Sequence, residues 1–450
     1  MMFIRKLLKN TFFHDVVNYI RALIPYRYKI LDADFFRFTE TLFENENKSY
    51  EQMLHFQFEA LKAQVEKAYR FSDFYYQKYN LGGFNPSQLK NFDDIARIPM
   101  LTKSEVRENV EKMLVVNDRK NLIAGYTSGT TGKALKLYAS PVTFSRELAA
   151  VLYQWSRIGF RPGDWRVELR GFVEGDMDYV ELSWENVLRI NIIKLSSKNI
   201  RNVFQKIKRI KCVFIHGYPS AIYKFTKLLI EAGLTLKVRG VFLASEVLYD
   251  WQLSLIDGYF KGADMIAHYG QAEKIVLGAW DRGIRKYNFI PTYGYLELDD
   301  ATDEIIGTGF INDVMPIIRY KMTDTASGFS KIPESSKMLF PVVEKIIGRQ
   351  GDFTLNEGGN LIPPAIVTFP FKQLTVITAC KLIQNDINVF DLIVEGPRTS
   401  ELSAEASGVV KGLKKIYGKN AVFKIVVTEK IPADKSGKFR WIECKIERNI

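Results

Sequence analysis

Hydrophobic residues follow two different spacings along the central part of this 450-residue chain. From about residue 121 onward, short apolar runs typical of β-strands alternate with longer segments in which apolar residues recur every three or four positions, as in helices. The strands predicted in this way are 166–169, 212–215, 240–243 and 265–267, and the helices between them are 199–208, 220–232 and 250–259. The alternation predicts an α/β domain, in which ligands usually lie beyond the carboxyl ends of the strands.

The segments before and after this region follow other patterns. Residues 50–80 are predicted to form one long helix, because apolar residues recur along one face of it. Beyond about residue 350, strand-like runs at 374–383, 389–394 and 421–427 and a helix at 401–417 predict a small α+β domain. We therefore predict three parts: an N-terminal helical extension over 1–49, a large domain over 50–350 and a small domain over 351–450.

The first 24 residues combine apolar positions at helical spacing with basic residues. Four basic side chains stand against one acidic residue, Asp15, and Pro25 ends the predicted helix. One interpretation is an amphipathic helix that lies on an anionic membrane surface, which would place the protein at the inner face of the cell membrane. The other, which we favour, is a helix packed on the body of the protein with its basic residues in water.

Composition and charge narrow the class of protein. Three widely separated cysteines, Cys212, Cys380 and Cys444, indicate thiols in a reducing cytoplasm rather than a disulfide framework or a CxxC metal site. Four scattered histidines do not predict a His-based metal site, and no apolar run approaches the ~20 residues of a membrane span. The net charge of +12 favours anionic partners such as nucleotides, coenzyme A, phosphorylated sugars or acidic lipid. Nucleic acid is disfavoured, because the chain shows no recognition-module signature.

One short segment, residues 126–133, concentrates groups that bind phosphate. Its glycines allow backbone N–H groups to approach an anion closely, and its hydroxyls and lysine add further donors. The candidate phosphate ligands are Thr127, Ser128, Gly129, Thr130, Thr131, Gly132 and Lys133. The segment is not the P-loop of kinases and GTPases, which has four residues between its first glycine and Gly-Lys, and a Ser or Thr after the lysine.

Together with four later motifs, this loop resembles that of the adenylate-forming enzymes, which include acyl-CoA synthetases, peptide-synthetase adenylation domains and luciferases. Their loop reads [ST]-S-G-T-T-G-x-P-K, and Ala134 stands here in place of the proline. Within that superfamily the chain is most similar to the phenylacetate-CoA ligase branch, and in particular to CapK-like proteins associated with surface polysaccharides. The resemblance covers nearly the whole chain from about residue 50.

The resemblance implies roles for two motifs around the nucleotide. In the first, which resembles Y-G-x-[ST]-E, Tyr269 would stack on adenine beside Gly270, and Glu273 would help to bind Mg²⁺. The chain departs from this motif at Ala272, which lacks the usual hydroxyl. In the second, Ser245 and Glu246 would line the adenine pocket.

Further motifs imply the ribose contacts, the hinge and the catalytic lysine. Asp324 and Arg349 would bind the ribose hydroxyls. Gly351 and Asp352 stand where the family has its hinge between domains, so residues 351–450 would form a mobile lid. Lys438, in a segment that resembles P-x-x-x-[ST]-G-K-[IVF]-x-R, would bind the carboxylate and the α-phosphate during adenylation.

The acid pocket carries the weakest signal. By resemblance it lies near the phosphate loop and residues 216–219, so Tyr138, His216 and Tyr218 are its candidate lining residues. A polar and aromatic lining would suit a sugar acid or an aromatic acid. The same side chains are equally compatible with packing in the core.

The resemblance implies an α/β enzyme with a large adenylate-forming domain of mixed sheets and helices and a small α+β lid. Such an enzyme uses ATP and Mg²⁺ to convert a carboxylic acid into an acyl-adenylate, then transfers the acyl group to an acceptor. Two acceptors stay open, the coenzyme A thiol and an amine, and the CapK-like resemblance suggests surface-polysaccharide biosynthesis. The alternative is a non-catalytic nucleotide-binding or scaffold relative of the same fold.

Overall fold

The computed structural model describes residues 31–127, 135–171, 173, 177–246, 248–330, 341–347, 353–362, 364–367, 369–371, 374–431 and 442–446. The described helices, α1 to α10, are Ala33–Glu46, Tyr50–Phe71, Asp73–Leu81, Lys103–Asn109, Pro141–Ser156, Ile200–Ile210, Pro219–Glu231, Asp250–Tyr259, Pro364–Val367 and Ser400–Tyr417. The described strands, β1 to β21, are Ile123–Tyr126, Lys136–Ala139, Arg166–Arg170, Tyr179–Leu182, Val187–Asn191, Phe214–Gly217, Gly240–Ala244, Asp264–Gly270, Leu277–Asp281, Lys286–Phe289, Gly294–Leu298, Glu304–Gly309, Tyr320–Ser327, Val342–Val343, Lys345–Ile347, Thr354–Leu355, Leu361–Ile362, Ala379–Asp386, Val389–Glu395, Val422–Thr428 and Ile442–Cys444. These elements confirm the mixed α/β class.

The helical segment at residues 50–80 is two helices rather than the single one predicted. Ser49 and Gln52 form a reciprocal capping box at the start of α2. Ser72 ends α2 and caps α3, its hydroxyl accepting from the backbone N–H of Tyr75 at 3.4 Å and donating to the carbonyl of Lys112 at 2.7 Å. A serine inside an otherwise helical pattern therefore breaks the helix, because its hydroxyl satisfies backbone groups that the helix would otherwise use.

The centre of the large domain is a nine-stranded sheet in the order β14-β10-β9-β8-β7-β6-β3-β5-β4. Strands β5, β3, β6, β7 and β8 run parallel, and the strands flanking them are antiparallel. The four predicted strands are all in this parallel region. Two of them differ in their bounds by two or three residues: β8 extends to Gly270, and β6 begins at Phe214 instead of Cys212. The chain leaves α6 through Lys211 in a left-handed conformation (φ 58°), and the N–H of Cys212 still bonds to Ile207.

Alternation along the strands gives the sheet two different faces. One face packs its apolar residues, such as Leu169, Ile215 and Leu243, against the helices α6, α7 and α8 in the largest buried cluster. The other face packs Phe214 and Phe242 against α5, where Trp155 stacks on Phe242 with ring centroids 4.1 Å apart. The α/β prediction follows from this arrangement, since strands covered on both faces are continuously apolar in sequence.

A second, four-stranded antiparallel sheet, β11-β12-β13-β15, lies beside the large one and carries the segment that ends in Asp324. Arg319, immediately before β13, is buried and adopts a left-handed conformation (φ 45°). Its guanidinium forms an ion pair with Glu297 on β11. This pair joins the start of β13 to β11, which lies on the other side of β12.

The C-terminal domain contains a four-stranded sheet, β20-β19-β18-β21, and the long helix α10. The predicted helix and two of the predicted strands are present, but the first strand begins at Ala379 rather than at residue 374. The reason is Glu405 on α10, whose carboxylate accepts N–H bonds from Thr375, Val376 and Ile377 at 2.5 to 3.0 Å. The short strand β21 was not predicted.

No helix in the described part of the chain has both the length and the apolar character that crossing a bilayer requires. Residues 1–24, for which the sequence left a membrane-surface helix and a packed helix open, lie outside the described residues.

Candidate active site

The structure describes about half of the residues that the sequence assigned to the site. Those outside the described residues are Ser128, Gly129, Thr130, Thr131, Gly132, Lys133, Arg349, Gly351, Asp352 and Lys438. Those inside are Thr127, Tyr138, His216, Tyr218, Ser245, Glu246, Tyr269, Gly270, Glu273 and Asp324. The roles assigned to both groups remain predictions, and the geometry below concerns the second.

Three neighbouring parallel strands end in predicted site residues. His216 is on β6 and Tyr218 follows it, Ser245 and Glu246 follow β7, and Tyr269 is near the end of β8. Because β6 pairs in parallel with β7 and β7 with β8, these residues share one edge of the sheet. This is the edge at which α/β sheets bind ligands.

Two hydrogen bonds join this edge to the second sheet. The hydroxyl of Tyr269 donates to Oδ2 of Asp324 at 2.9 Å. The hydroxyl of Tyr320, four residues before Asp324, lies 3.5 Å from Oε1 of Glu273. The sequence placed Tyr269, Glu273 and Asp324 around one nucleotide, although their motifs are about 50 residues apart. The two bonds bring these motifs together in the fold.

The turn after β7 carries a carboxyl group in an unusual environment. Ser245 takes a left-handed conformation (φ 67°), which is uncommon outside glycine. Glu246 follows, and its Oε2 accepts the N–H of Ser220 at the start of α7, at 3.3 Å. Burial raises the pKa of Glu246 to about 7, although this contact opposes the shift. Its Oε1 has no hydrogen-bond partner among the described residues, so this carboxyl can exchange a proton near neutral pH.

Thr127 closes the base of the phosphate loop. Its N–H donates to the carbonyl of Leu135 at 3.0 Å, and its hydroxyl accepts from the N–H of Leu135 at 3.1 Å. The two bonds hold the ends of β1 and β2 together across residues 128–134. Thr127 itself is buried.

The three candidate pocket residues do not share one set of contacts. Tyr138 is on β2, and its hydroxyl donates to Glu111 at 2.7 Å while the ammonium of Lys136 lies 4.5 Å from its ring centre. His216 and Tyr218 instead contact a buried group of charges on β3. His216 Nδ1 lies 3.8 Å from Glu168, and the hydroxyl of Tyr218 lies close to Arg170.

The sequence analysis missed this group of charges. Glu168 is buried in the middle of β3 and binds Arg170 at 2.7 Å and Arg189 at 2.6 Å. A signal was present in the strand itself, because Arg166, Glu168 and Arg170 alternate with apolar residues and must share one face. A charged face on a strand covered on both sides indicates a buried polar site.

Comparison with known proteins agrees with the motifs. Residues 355–445 match the CapK C-terminal domain family. Protein CapK of Staphylococcus aureus is 23% identical over 431 residues, which cover 89% of this chain and 88% of that protein. A phenylacetate-coenzyme A ligase of Aromatoleum evansii is 23% identical over 352 residues, 71% of this chain and 76% of the ligase. The chain is therefore similar to protein CapK and to the phenylacetate-coenzyme A ligases, and residues 355–445 carry the CapK C-terminal domain.

A solved structure supports the fold of this CapK-like chain. It is 2-hydroxyisobutyryl-CoA ligase in complex with 2-HIB-AMP and CoA in the thioesterification state, with a TM-score of 0.58 at 17% identity. The match covers 89% of this chain and 91% of the ligase. At this identity it establishes the fold alone, which this chain shares with that CoA ligase.

Proposed function

We propose that the protein is an ATP- and Mg²⁺-dependent ligase that converts a carboxylic acid into an acyl-adenylate and then transfers the acyl group. The observation that carries the proposal is the bond between Tyr269 and Asp324, 2.9 Å long. It unites two motif residues from different sheets at the ligand-binding edge of the fold. The same two motifs define the nucleotide site in the family that the chain resembles.

In the proposed first step, an oxygen of the acid's carboxylate attacks the α-phosphorus of ATP. The new P–O bond replaces the bond to the β-phosphate, and pyrophosphate leaves. Both reactants are anions, so the protein has to position them and offset their charge. Tyr269 would stack on adenine and Asp324 would hold the ribose, while the loop 127–133 and Lys438 would contact the phosphates.

The residues present fit a Mg²⁺ ion at Glu273. No cluster of three or more acidic, histidine or cysteine side chains suited to a metal occurs among the described residues. Mg²⁺ does not require one, because it is commonly held by one or two carboxylates together with phosphate oxygens and water. Glu273 is half-buried beside the Tyr320 hydroxyl and would be this carboxylate. Bound there, the ion would neutralise phosphate charge.

In the proposed second step, a thiol or an amine attacks the acyl carbon, the bond to AMP breaks, and AMP leaves. The phenylacetate-coenzyme A ligases among the relatives favour coenzyme A as the acceptor. The similarity to CapK supports a place in surface-polysaccharide biosynthesis, where an amine on a glycan precursor is the other acceptor.

A screen for pyrophosphate release tests the proposal. The purified full-length chain is given ATP, Mg²⁺ and a panel of carboxylic acids, with and without coenzyme A or amino sugars. We expect release with at least one acid, and Glu273→Gln should require more Mg²⁺ for the same rate because a charged ligand becomes neutral. If the protein binds ATP but no acid releases pyrophosphate, the non-catalytic alternative is correct.

A further inference from the structure

Polar side chains from four strands meet on one face of the large sheet, beside the candidate nucleotide site. We call them the polar cluster: Glu168 and Arg170 on β3, Arg189 on β5, His216 on β6 and His268 on β8. Strand register brings them together, since Glu168 is paired with both Arg189 and His216. Trp155 on α5 covers the group, with its ring centre 5.0 Å from that of His216 and its indole N–H donating to His268 Nε2.

The polar cluster carries more positive than negative charge. Burial alone would raise the pKa of Glu168, but Arg170 and Arg189 lower it to about 2, so this carboxylate is ionised. Burial lowers the pKa of His216 to about 3 and that of His268 to about 4, so both imidazoles are neutral at physiological pH. One carboxylate therefore faces two guanidinium groups.

The side chain of Arg189 is 31% exposed, and Arg170 extends further toward solvent. Its side chain is 42% exposed, whereas that of Glu168 is 5% exposed. Glu168 holds the guanidinium at 2.7 Å, and the hydroxyl of Tyr218, just after β6, lies close to it. Among the described residues these contacts use fewer than the five N–H donors of a guanidinium. Arg170 is thus held by Glu168, and its contacts with the described residues leave further donors.

The position of Arg170 is at the boundary between the two domains. Gly171, which follows it, lies so close to the C-terminal domain that a Cβ added there would be 3.2 Å from Cγ1 of Ile366 on α9. Tyr218 precedes α7, whose first turn binds Glu246 beside the proposed adenine pocket. A molecule held by Arg170 would therefore lie between the proposed nucleotide site and the C-terminal domain.

From this geometry we infer that Arg170 is the specificity-determining residue for the acid, and that the protein selects an acid with a second anionic group over the matching monocarboxylic acid. The inference rests on the proposed function. The carboxylate to be activated has to face the α-phosphate, so the second group would lie toward β3. There a planar guanidinium held by Glu168 can bind a carboxylate through two parallel hydrogen bonds.

Matched pairs of acids test the inference. The probes are glutarate with pentanoate, and 4-carboxyphenylacetate with phenylacetate. Pyrophosphate release and calorimetric binding are both measured for the wild type and for Arg170→Met and Arg170→Lys. Arg201→Met is the control, since Arg201 is an exposed arginine on α6 that bonds to the carbonyl of Ala232.

We expect the wild type to favour the diacid of each pair, and Arg170→Met to reduce kcat/KM for the diacid by about 10- to 100-fold with little change for the monoacid. Arg170→Lys should retain part of the preference for the diacid over the monoacid. Arg201→Met should show the same preference as the wild type. Arg170→Met could be unstable because Glu168 loses one of its cations. In that case the double variant Glu168→Gln/Arg170→Met removes both charges of the ion pair, and the diacid and monoacid are compared in it instead.

The two readouts separate this inference from the proposed function. Equal use of both acids in each pair, or an equal loss for both in Arg170→Met, overturns the inference and leaves the ligase proposal intact. If no acid releases pyrophosphate but the diacids bind in an Arg170-dependent way, the ligase proposal fails and the anion-selective pocket stands. If neither release nor binding depends on Arg170, the inference is wrong.

Discussion

Replacing Arg319 by methionine should lower the stability of the protein sharply, because Arg319 anchors the strand that carries Asp324. Arg319 is 6% exposed, and its guanidinium donates to both carboxylate oxygens of Glu297, at 3.2 and 3.0 Å. It also donates to the carbonyl oxygens of Ala96 and Ile98, at 3.1 and 2.8 Å. Breaking a buried ion pair by removing one partner typically costs about 3–5 kcal/mol, since the other charge keeps its desolvation cost.

The assay is urea unfolding followed by fluorescence and circular dichroism. With a typical slope of about 2–3 kcal/mol per molar urea, the midpoint of Arg319→Met should fall by about 1–2 M. Lys321→Met is the matched control, because Lys321 binds Asp299 and Glu304 at 2.9 and 3.0 Å but is 30% exposed. Exposed ion pairs contribute little, so this variant should shift the midpoint far less.

A double variant separates the ion pair from the packing of the arginine stem. Arg319→Met/Glu297→Leu leaves no uncompensated carboxylate at this position, so it should recover part of the stability lost in Arg319→Met. The reasoning is refuted if Arg319→Met shifts the midpoint no more than Lys321→Met does. It is also refuted if the double variant is less stable than Arg319→Met.

Four further predictions concern the site and the chain termini. Asp324→Ala should raise the KM for ATP by about 10- to 100-fold through loss of charge-assisted bonds, whereas Tyr269→Phe, which keeps the ring and the carboxylate, should change it only a few-fold in steady-state assays. Lys438→Ala should slow adenylation by on the order of 10²-fold, yet transfer acyl groups from preformed acyl-adenylate at a near-normal rate when the half-reactions are timed separately. The folded-state pKa of Glu246 is raised to about 7, so the stability that its protonated form contributes is lost as pH rises toward that value. The urea midpoint of Glu246→Gln should therefore change less with pH than that of the wild type between about pH 5 and about pH 8. Deleting residues 1–24 should abolish binding to anionic vesicles without loss of catalysis if they form a membrane-surface helix; unfolding of the deletion variant would instead support packing on the body of the protein.

Local patterns predicted the parallel strands β3, β6, β7 and β8, the helices between them, and three strands and the long helix of the C-terminal part, whereas the β1-β2 hairpin and the strands β9 to β17 were not predicted. Strands such as β7 are largely apolar because helices cover both faces of the sheet, and the helices between the strands show the spacing of three or four. Errors arose where a single side chain satisfied backbone groups in an unforeseen way. Ser72 divided one predicted helix, and Glu405 bound three N–H groups that the apolar run at 374–383 had assigned to a strand. Neither contact is visible in a hydrophobic pattern, because each depends on a polar side chain and one particular backbone position.

The candidate site was predictable only where motif resemblance supplied the long-range pairing. Tyr269 and Asp324 could be assigned to one nucleotide because both belong to motifs of the same superfamily, and the fold brings them to 2.9 Å. The polar cluster has no such motif. Glu168, Arg189 and His216 are separated by more than 20 residues each, and only the parallel register of three strands makes them neighbours.

The proposed nucleotide site and the proposed acid site are at the same edge of the sheet. They use different residues, because the polar cluster is separate from Tyr269 and Asp324. Side chains of Tyr269 and Asp324 meet between the two sheets, whereas Arg170 and His216 are on the face that packs against α5. Tyr269, Arg170 and His216 belong to the nine-stranded sheet or follow its strands, and Asp324 bonds to Tyr269 from the second sheet, so these contacts fix the spacing of the two groups. A ligase needs this property, because its two anionic substrates must be fixed relative to each other before a bond can form between them. The two sites also differ in charge. The carboxyl groups of Glu246 and Asp324 would suit adenine and ribose. The two guanidinium groups around Glu168 would suit an anionic acid.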